Sequence, residues 1–137
     1  MPMGNQIGNP NFFKLFKGKY ELTDVNAKLS ILNPYVILTC TNDVVFLFNI
    51  RGASQTQSLA TSDVLFTLPQ ECRPYNEETR MLIRQVKNSS GSTNVLNIST
   101  NGQVKVASSI SSVTSGFTLY THGLSFNNSS RWYWYAS

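Results

Sequence analysis

Few side chains in this sequence have the chemistry that catalysis requires. The chain holds one histidine, His122, and seven carboxylates that are mostly isolated along the sequence. A nucleophile with its base, or a metal site, would have to recruit members from distant segments. The sequence motifs of serine hydrolases, zinc proteases, thiol redox proteins and nucleotide-binding loops do not occur. The sequence therefore predicts a protein that is not an enzyme and uses no metal or cofactor, with a weak polysaccharide hydrolase kept as an alternative.

The aromatic C-terminal end is the best candidate for binding chemistry. Trp132 and Trp134 alternate with Tyr133 and Tyr135, so an extended strand would present the two tryptophans on one face. Flat aromatic faces can stack on sugar rings, but the same strand could instead be buried or close an oligomer. The candidate ligand-binding residues are Trp132, Trp134, His122, Arg131, Tyr120 and Asn128.

Composition favours neutral hydrogen bonding over charge. Charged residues make up 13% of the chain and the formal net charge is +4, a low density that does not indicate a dedicated polyanion binder. Close to a third of the residues are Ser, Thr or Asn, which suit hydroxyl-rich ligands and are poor helix formers. Neither a membrane-spanning run nor a secretory signal is present. We expect no nucleic-acid partner and no insertion into a membrane.

Alternating hydrophobicity predicts strands from residue 35 onward. Residues 35–40 and 44–50 read as a hairpin, and runs 80–87 and 93–100 flank a turn cluster at 88–92. Asn101-Gly102 is a strong type I′ turn signal that leads into a third strand at 104–106. Further strands are predicted at 64–68, 117–122, 124–126 and 132–135, and residues 52–62 are expected to form a loop.

These elements predict an all-β antiparallel barrel or jelly-roll-like sandwich with a short N-terminal arm or helix. The arm covers residues 1–30 and the β head domain covers residues 31–137. Within the arm, residues 12–19 combine aromatic and basic side chains at a spacing compatible with one helical turn that ends at Gly18. This segment is expected to dock into a neighbouring protein.

Two cysteines, Cys40 and Cys72, are the complete set of thiols. A chain of this size does not need a disulfide framework, and we expect two free, buried thiols. A bridge between them remains the alternative.

Four short strings in a fixed order resemble one protein family. They are residues 64–69 (VLFTLP), 73–74 (RP), 94–106 (NVLNISTNGQVKV) and 124–126 (LSF). Together they resemble the C-terminal head domains of tail-fibre and baseplate receptor-binding proteins from siphophages of Gram-positive bacteria.

The resemblance implies a β-barrel head that assembles as a homotrimer at the phage tail tip, after synthesis in the host cytoplasm. It further implies adsorption through a host cell-wall polysaccharide or teichoic acid and contact with other tail or baseplate proteins. In this family the matched strings shape loops and hairpins, so no binding residue is carried over. The alternative is a structural tail or baseplate subunit that binds only virion proteins.

Overall fold

The computed structural model describes residues 16–129, which form an all-β antiparallel fold. Thirteen strands and one 3₁₀ helix lie in that range, and it contains no α-helix. The strands are β1 (Phe16–Glu21), β2 (Leu29–Ser30), β3 (Tyr35–Thr39), β4 (Asp43–Phe46), β5 (Ile50–Gly52), β6 (Gln57–Leu59), β7 (Phe66–Thr67), β8 (Thr79–Lys87), β9 (Ser90–Ile98), β10 (Gln103–Val106), β11 (Ile110–Val113), β12 (Phe117–Tyr120) and β13 (Ser125–Asn127). The 3₁₀ helix, Gln70–Cys72, lies between β7 and β8.

The strands form three sheets. A seven-stranded sheet has the order β2-β5-β12-β8-β9-β10-β7, a four-stranded sheet has the order β13-β4-β3-β1, and β6 pairs with β11. The predicted antiparallel β class is confirmed, and the large sheet is curled into a half-barrel. No helix among residues 16–129 is long and apolar enough to cross a bilayer.

The curl of the large sheet brings its two edges close together. Thr23 forms a two-way backbone pair with Thr67 on edge strand β7, at 3.0 and 2.8 Å. Six residues later, Leu29 pairs with Gly52 at the opposite edge. A six-residue segment spans at most about 20 Å. This short connection therefore fixes how far apart the edges can lie.

The first predicted hairpin is confirmed, with one correction. β3 and β4 pair antiparallel, and Val36 lies opposite Phe46. The turn uses Asn42 at a φ of 67°, which asparagine tolerates better than most residues. The predicted second strand does not run unbroken to Ile50. It ends at Phe46, and the chain passes into the large sheet at β5.

A side chain holds that crossing in place. In the four-stranded sheet β4 pairs with β13, and in the large sheet β5 pairs with β12. The chain therefore passes between the two sheets from β4 to β5 and again from β12 to β13, and these two crossings lie next to each other. Asn49 Oδ1 accepts hydrogen bonds from the backbone amides of Thr121 and His122, at 3.2 and 3.1 Å. Thr121 also donates its hydroxyl to the carbonyl of Phe48. Alternation alone does not reveal where a strand leaves one sheet for another.

The predicted meander is confirmed in β8, β9 and β10, but both turns differ from expectation. Lys87 pairs with Ser90, so the first turn holds two residues instead of the expected cluster at 88–92. In the second turn, the backbone amide of Gly102 donates to the carbonyl of Ser99 at 2.9 Å. Gly102 has a positive φ of 88°, whereas Asn101 does not have a positive φ. This is a three-residue loop closed by a left-handed glycine, not a type I′ turn.

The core lies between the sheets and is rich in aromatic side chains. Phe46 stacks on Phe48 at a centroid distance of 5.1 Å, and Phe66 meets both of them edge-on. Phe126 from β13 packs edge-on against Phe46 at 6.1 Å. These contacts join β4, β7 and β13 and the crossing segment, so they tie the four-stranded sheet to the large one.

Two other local predictions are wrong. The helical turn expected in residues 12–19 is strand β1 where it is described, because residues 16–21 pair with β3 along the sheet edge. The expected loop 52–62 contains β6, whose Leu59 is fully buried opposite Ile110. The strand predicted at 132–135 lies outside the described residues. The division at residue 30 stays a prediction, although strands on both sides of it share the same sheets.

Both cysteines are free, but only one is buried. Cys72 is fully buried at the end of the 3₁₀ helix, whereas Cys40 is exposed after β3. The expectation of two buried thiols is therefore wrong for Cys40.

Candidate functional site

A groove of about 300 Å³ opens where four separate segments meet. The segments are β1, the β3–β4 turn, the 3₁₀ helix with the loop that follows it, and the chain just after β13. The described residues that line the groove are Lys17, Asn42, Gln70, Glu71, Arg73, Tyr75, Asn128 and Ser129. Most of these are polar side chains on loops, where binding residues of β proteins are commonly found.

Asn128 joins the segments around the groove. Its backbone amide donates to the carbonyl of Asn42 at 2.9 Å, and its own carbonyl accepts from the amide of Tyr75 at 3.1 Å. Its side-chain amide donates to the carbonyl of Glu71 at 2.9 Å. Asn128 is a sequence-predicted ligand residue, and the structure places it at the groove, where its hydrogen bonds hold three of the segments together.

Lys17 and Asn42 form one wall. The Lys17 ammonium donates to Asn42 Oδ1 at 2.7 Å. This contact links edge strand β1 to the β3–β4 turn. It also leaves the Asn42 side-chain amide with donor capacity, because an amide carries two N–H groups on its nitrogen.

Arg73 fixes the opposite wall. Its Nε donates to the carbonyl of Leu68 at 2.8 Å, and the amide of Leu68 donates to the carbonyl of Gly102 at 2.8 Å. A Cβ on Gly102 would lie 2.5 Å from Arg73 Nε, so a side chain there would displace the guanidinium. Three of the strings singled out in the sequence, around Leu68, Arg73 and Gly102, therefore meet and shape the loop that carries Tyr75.

Tyr75 supplies the aromatic surface of the groove. It is 60% exposed although its backbone is held by Asn128. An exposed aromatic ring beside amide, hydroxyl and charged groups is the arrangement that saccharide sites use, because one face of a sugar ring is apolar and its rim is hydroxylated.

Two titratable groups next to the groove residue Glu71 have raised pKa values. Burial, and then the charge of Glu71, raise the pKa of the Cys72 thiol to about 12, so it is a neutral thiol at physiological pH. Burial, then Glu71 and Cys72, also raise the pKa of the Tyr20 hydroxyl. Glu71 is the one carboxylate among the described lining residues. Residues 16–129 contain no group of three or more His, Cys, Asp or Glu that could hold a metal ion.

The other sequence-predicted residues lie elsewhere. Tyr120 lies on the outer face of the large sheet, with the Arg84 guanidinium 5.5 Å from its ring centroid. His122 is exposed in the turn after β12 and does not line the groove. Arg131, Trp132 and Trp134 fall outside the described residues.

Sequence reasoning missed most of the groove. Lys17, Asn42, Gln70, Glu71, Arg73 and Tyr75 were not candidates. The available signal was an exposed aromatic residue in the polar loop after Pro69, next to the Arg-Pro string. Nothing local in that loop indicates that it meets β1 and the end of β13.

Comparison with known proteins finds no matching family model, no matching curated protein and no matching solved structure.

Proposed function

We propose that this protein is the head of a phage tail or baseplate receptor-binding protein that holds a host cell-wall saccharide without cleaving it. The observation that carries the proposal is the groove lined by exposed Tyr75 together with amide, hydroxyl and charged side chains. The order of sequence strings that resembles such heads supports the same function. The protein acts at the tail tip of the virion, beside other tail or baseplate proteins.

The groove chemistry matches a polyhydroxylated ligand. Tyr75 offers an apolar face, while Gln70 and Asn42 can donate to and accept from hydroxyl groups. A volume of about 300 Å³ is at the lower end for ligand pockets, so the groove takes a short segment of a longer polysaccharide. Binding of a short segment is weak at one site. Several copies in a homotrimer raise the apparent affinity through multivalency.

The lining residues support binding without hydrolysis. Glycoside hydrolysis commonly needs two carboxyl groups about 5 to 10 Å apart on opposite sides of the scissile bond. Glu71 has no second carboxylate beside it among the described lining residues. The ligand is therefore expected to leave the groove unchanged.

The test is direct binding to cells. Fluorescently labelled protein is incubated with a panel of Gram-positive species and with an array of cell-wall saccharides, and its mass is measured by light scattering. We expect a trimer that labels some species and not others, with no release of soluble sugar. A monomer that labels no cell at high concentration, or measurable release of sugar fragments, would contradict the proposal.

A structural tail subunit is the second candidate, and one observation favours it. Phe16 is 53% exposed at the start of β1, an edge strand of the four-stranded sheet. An exposed aromatic residue beside an edge strand suits docking to another protein. Under this alternative, Phe16→Ser blocks incorporation into phage particles but leaves the purified protein folded. The unsubstituted protein does not bind saccharide.

A further inference from the structure

Basic residues that are far apart in the sequence lie together on the outer face of the seven-stranded sheet. Along β8, Met81 and Ile83 point into the core, while Arg80, Leu82 and Arg84 point outward. Strand alternation thus places two arginines of one strand on the same face, about 13 Å apart at Cα. Leu82 lies between them and is 68% exposed.

Strand pairing adds two more cations to that face. Asn97 on β9 lies opposite both Arg80 and Lys105, which places Lys105 two strands from Arg80. Two strand spacings amount to about 10 Å. On the other side of β8, Arg51 pairs with Thr118, whose other neighbour is Val86. We call the outward-facing set Arg51, Arg80, Arg84 and Lys105 the basic face.

Negative charge is scarce around these residues. None of the seven strands of this sheet contains Asp or Glu. The one ion pair recorded there joins Arg80 to Glu78 at 4.0 Å, with side chains 75% and 48% exposed. So long and exposed a contact contributes little and is easily exchanged for another anion. The basic face therefore has a positive electrostatic potential that is stronger than the net charge of +4 alone would indicate.

We propose that the basic face binds a linear phosphodiester polymer of the cell wall, of the teichoic acid type. This inference rests on the proposed function, since it names a second class of ligand on the same cell surface. Cations separated by about 10 to 13 Å along and across strands suit a flexible chain with regularly repeated phosphates. The four side chains engage separate phosphates, and Leu82 contacts the carbon backbone between them.

Two rival occupants fit the face less well. Single-stranded nucleic acid is bound by stacking bases on aromatic side chains. Tyr120 is the one aromatic residue that the described strands place on this face, and the Arg84 guanidinium lies over its ring, where a base would have to stack. A second copy of the chain pairing through the same face would bring the cations of both copies together, which costs energy through like-charge repulsion.

The experiment measures binding of the full-length protein to purified poly(glycerol phosphate) teichoic acid, with neutral dextran and single-stranded DNA as comparison probes. We expect binding to teichoic acid that weakens by tenfold or more between about 50 and about 200 mM salt. The double variant Arg80→Gln/Arg84→Gln should bind at least tenfold more weakly. The matched control Lys19→Gln/Lys87→Gln removes the same net charge from positions off this face, one exposed and one half-buried, and should bind as the parent does.

Each outcome separates this inference from the proposed function. Cell labelling that depends on Tyr75, with no binding to teichoic acid, retains the proposed function and overturns the basic-face inference. Equal loss in the two double variants, or equal affinity for single-stranded DNA, also overturns it, because either result reflects nonspecific charge. Teichoic acid binding that persists in Tyr75→Ala, together with cell labelling that this substitution leaves unchanged, supports the basic face and contradicts the groove.

Discussion

Arg73 donates its Nε to the backbone carbonyl of Leu68 at 2.8 Å, and this bond closes the loop that presents Tyr75 to the groove. The guanidinium packs against Gly102, the left-handed residue of the β9–β10 turn. One side chain thus connects the large sheet to the wall of the candidate site. Substitutions at Arg73 should consequently affect stability and binding together.

Replacing Arg73 by glutamine should lower the free energy of unfolding by about 1 to 2 kcal/mol, because a charge-assisted hydrogen bond to a half-buried carbonyl is lost. Saccharide binding should weaken in parallel as the loop loosens. Urea denaturation with a binding titration measures both. The same substitution at exposed Arg80 is the control and should change stability by less than about 0.5 kcal/mol. Equal effects at the two positions would show that the Arg73 contact is not structural.

Tyr75→Ala tests the aromatic surface of the groove directly. The exposed ring contributes little to the fold, so stability should change by about 0.5 kcal/mol or less, while cell binding should fall about tenfold with loss of the stacking face. Tyr75→Phe keeps the ring and should retain most of the binding. The readout is adsorption of the labelled variants to a species that the parent protein labels. Full adsorption by the alanine variant would place the saccharide elsewhere.

Local pattern was sufficient for the strands but not for the site. The alternation within residues 93–100 places Leu96 and Ile98 on one face of a strand, and both are fully buried, because the alternation of one strand depends only on which face is covered. The groove instead joins Lys17, Asn42 and Asn128, which are far apart in the chain. Their proximity results from pairing within the four-stranded sheet, where β1 pairs with β3 and β13 pairs with β4, and this long-range pairing has no local sequence signal. The basic face was missed for the same reason, since cross-strand register brings Lys105 near Arg80.

Asp63 should make stability depend on pH in the acid range. Its carboxylate accepts hydrogen bonds from the Lys28 ammonium at 2.9 Å and from the amide of Ala60 at 2.8 Å. These bonds lower the pKa of Asp63 in the folded protein. A lowered folded-state pKa stabilises the fold above the unfolded-state value of about 4, and this contribution is lost as the pH falls through the folded-state pKa.

Asp63→Asn should therefore reduce stability at neutral pH, by about 1 kcal/mol. The difference from the parent protein should shrink below about pH 4, as measured by urea denaturation across a pH series. Glu77→Gln removes an exposed loop carboxylate and serves as the control, with no such pH-dependent difference. A gap between Asp63→Asn and the parent that stays constant down to low pH would be inconsistent with the ion pair.

The two thiols should react very differently with an alkylating reagent. Cys40 is exposed, whereas Cys72 is fully buried and has a pKa raised to about 12. The thiolate is the reactive form, so Cys72 is protected by both burial and protonation. Mass spectrometry should find one modified cysteine in the native protein and two after denaturation. Cys40→Ser should remove the native reaction altogether, and rapid labelling of that variant would contradict the burial of Cys72.

Gly52 should be the least replaceable residue of β5. A Cβ added there would lie 2.1 Å from the carbonyl oxygen of Thr114. The position of a Cβ is fixed by its own backbone, and the carbonyl is itself backbone, so no side-chain rotation can relieve the overlap. Gly52→Ala should lower the free energy of unfolding by about 3 kcal/mol or more, because overpacking against the main chain forces strands apart. Gly91 is the matched control, since a Cβ there meets nothing within 4 Å, and Gly91→Ala should change stability by less than about 1 kcal/mol. Thermal denaturation of the two variants side by side decides the matter, and similar melting temperatures would mean that β5 does not approach Thr114 this closely.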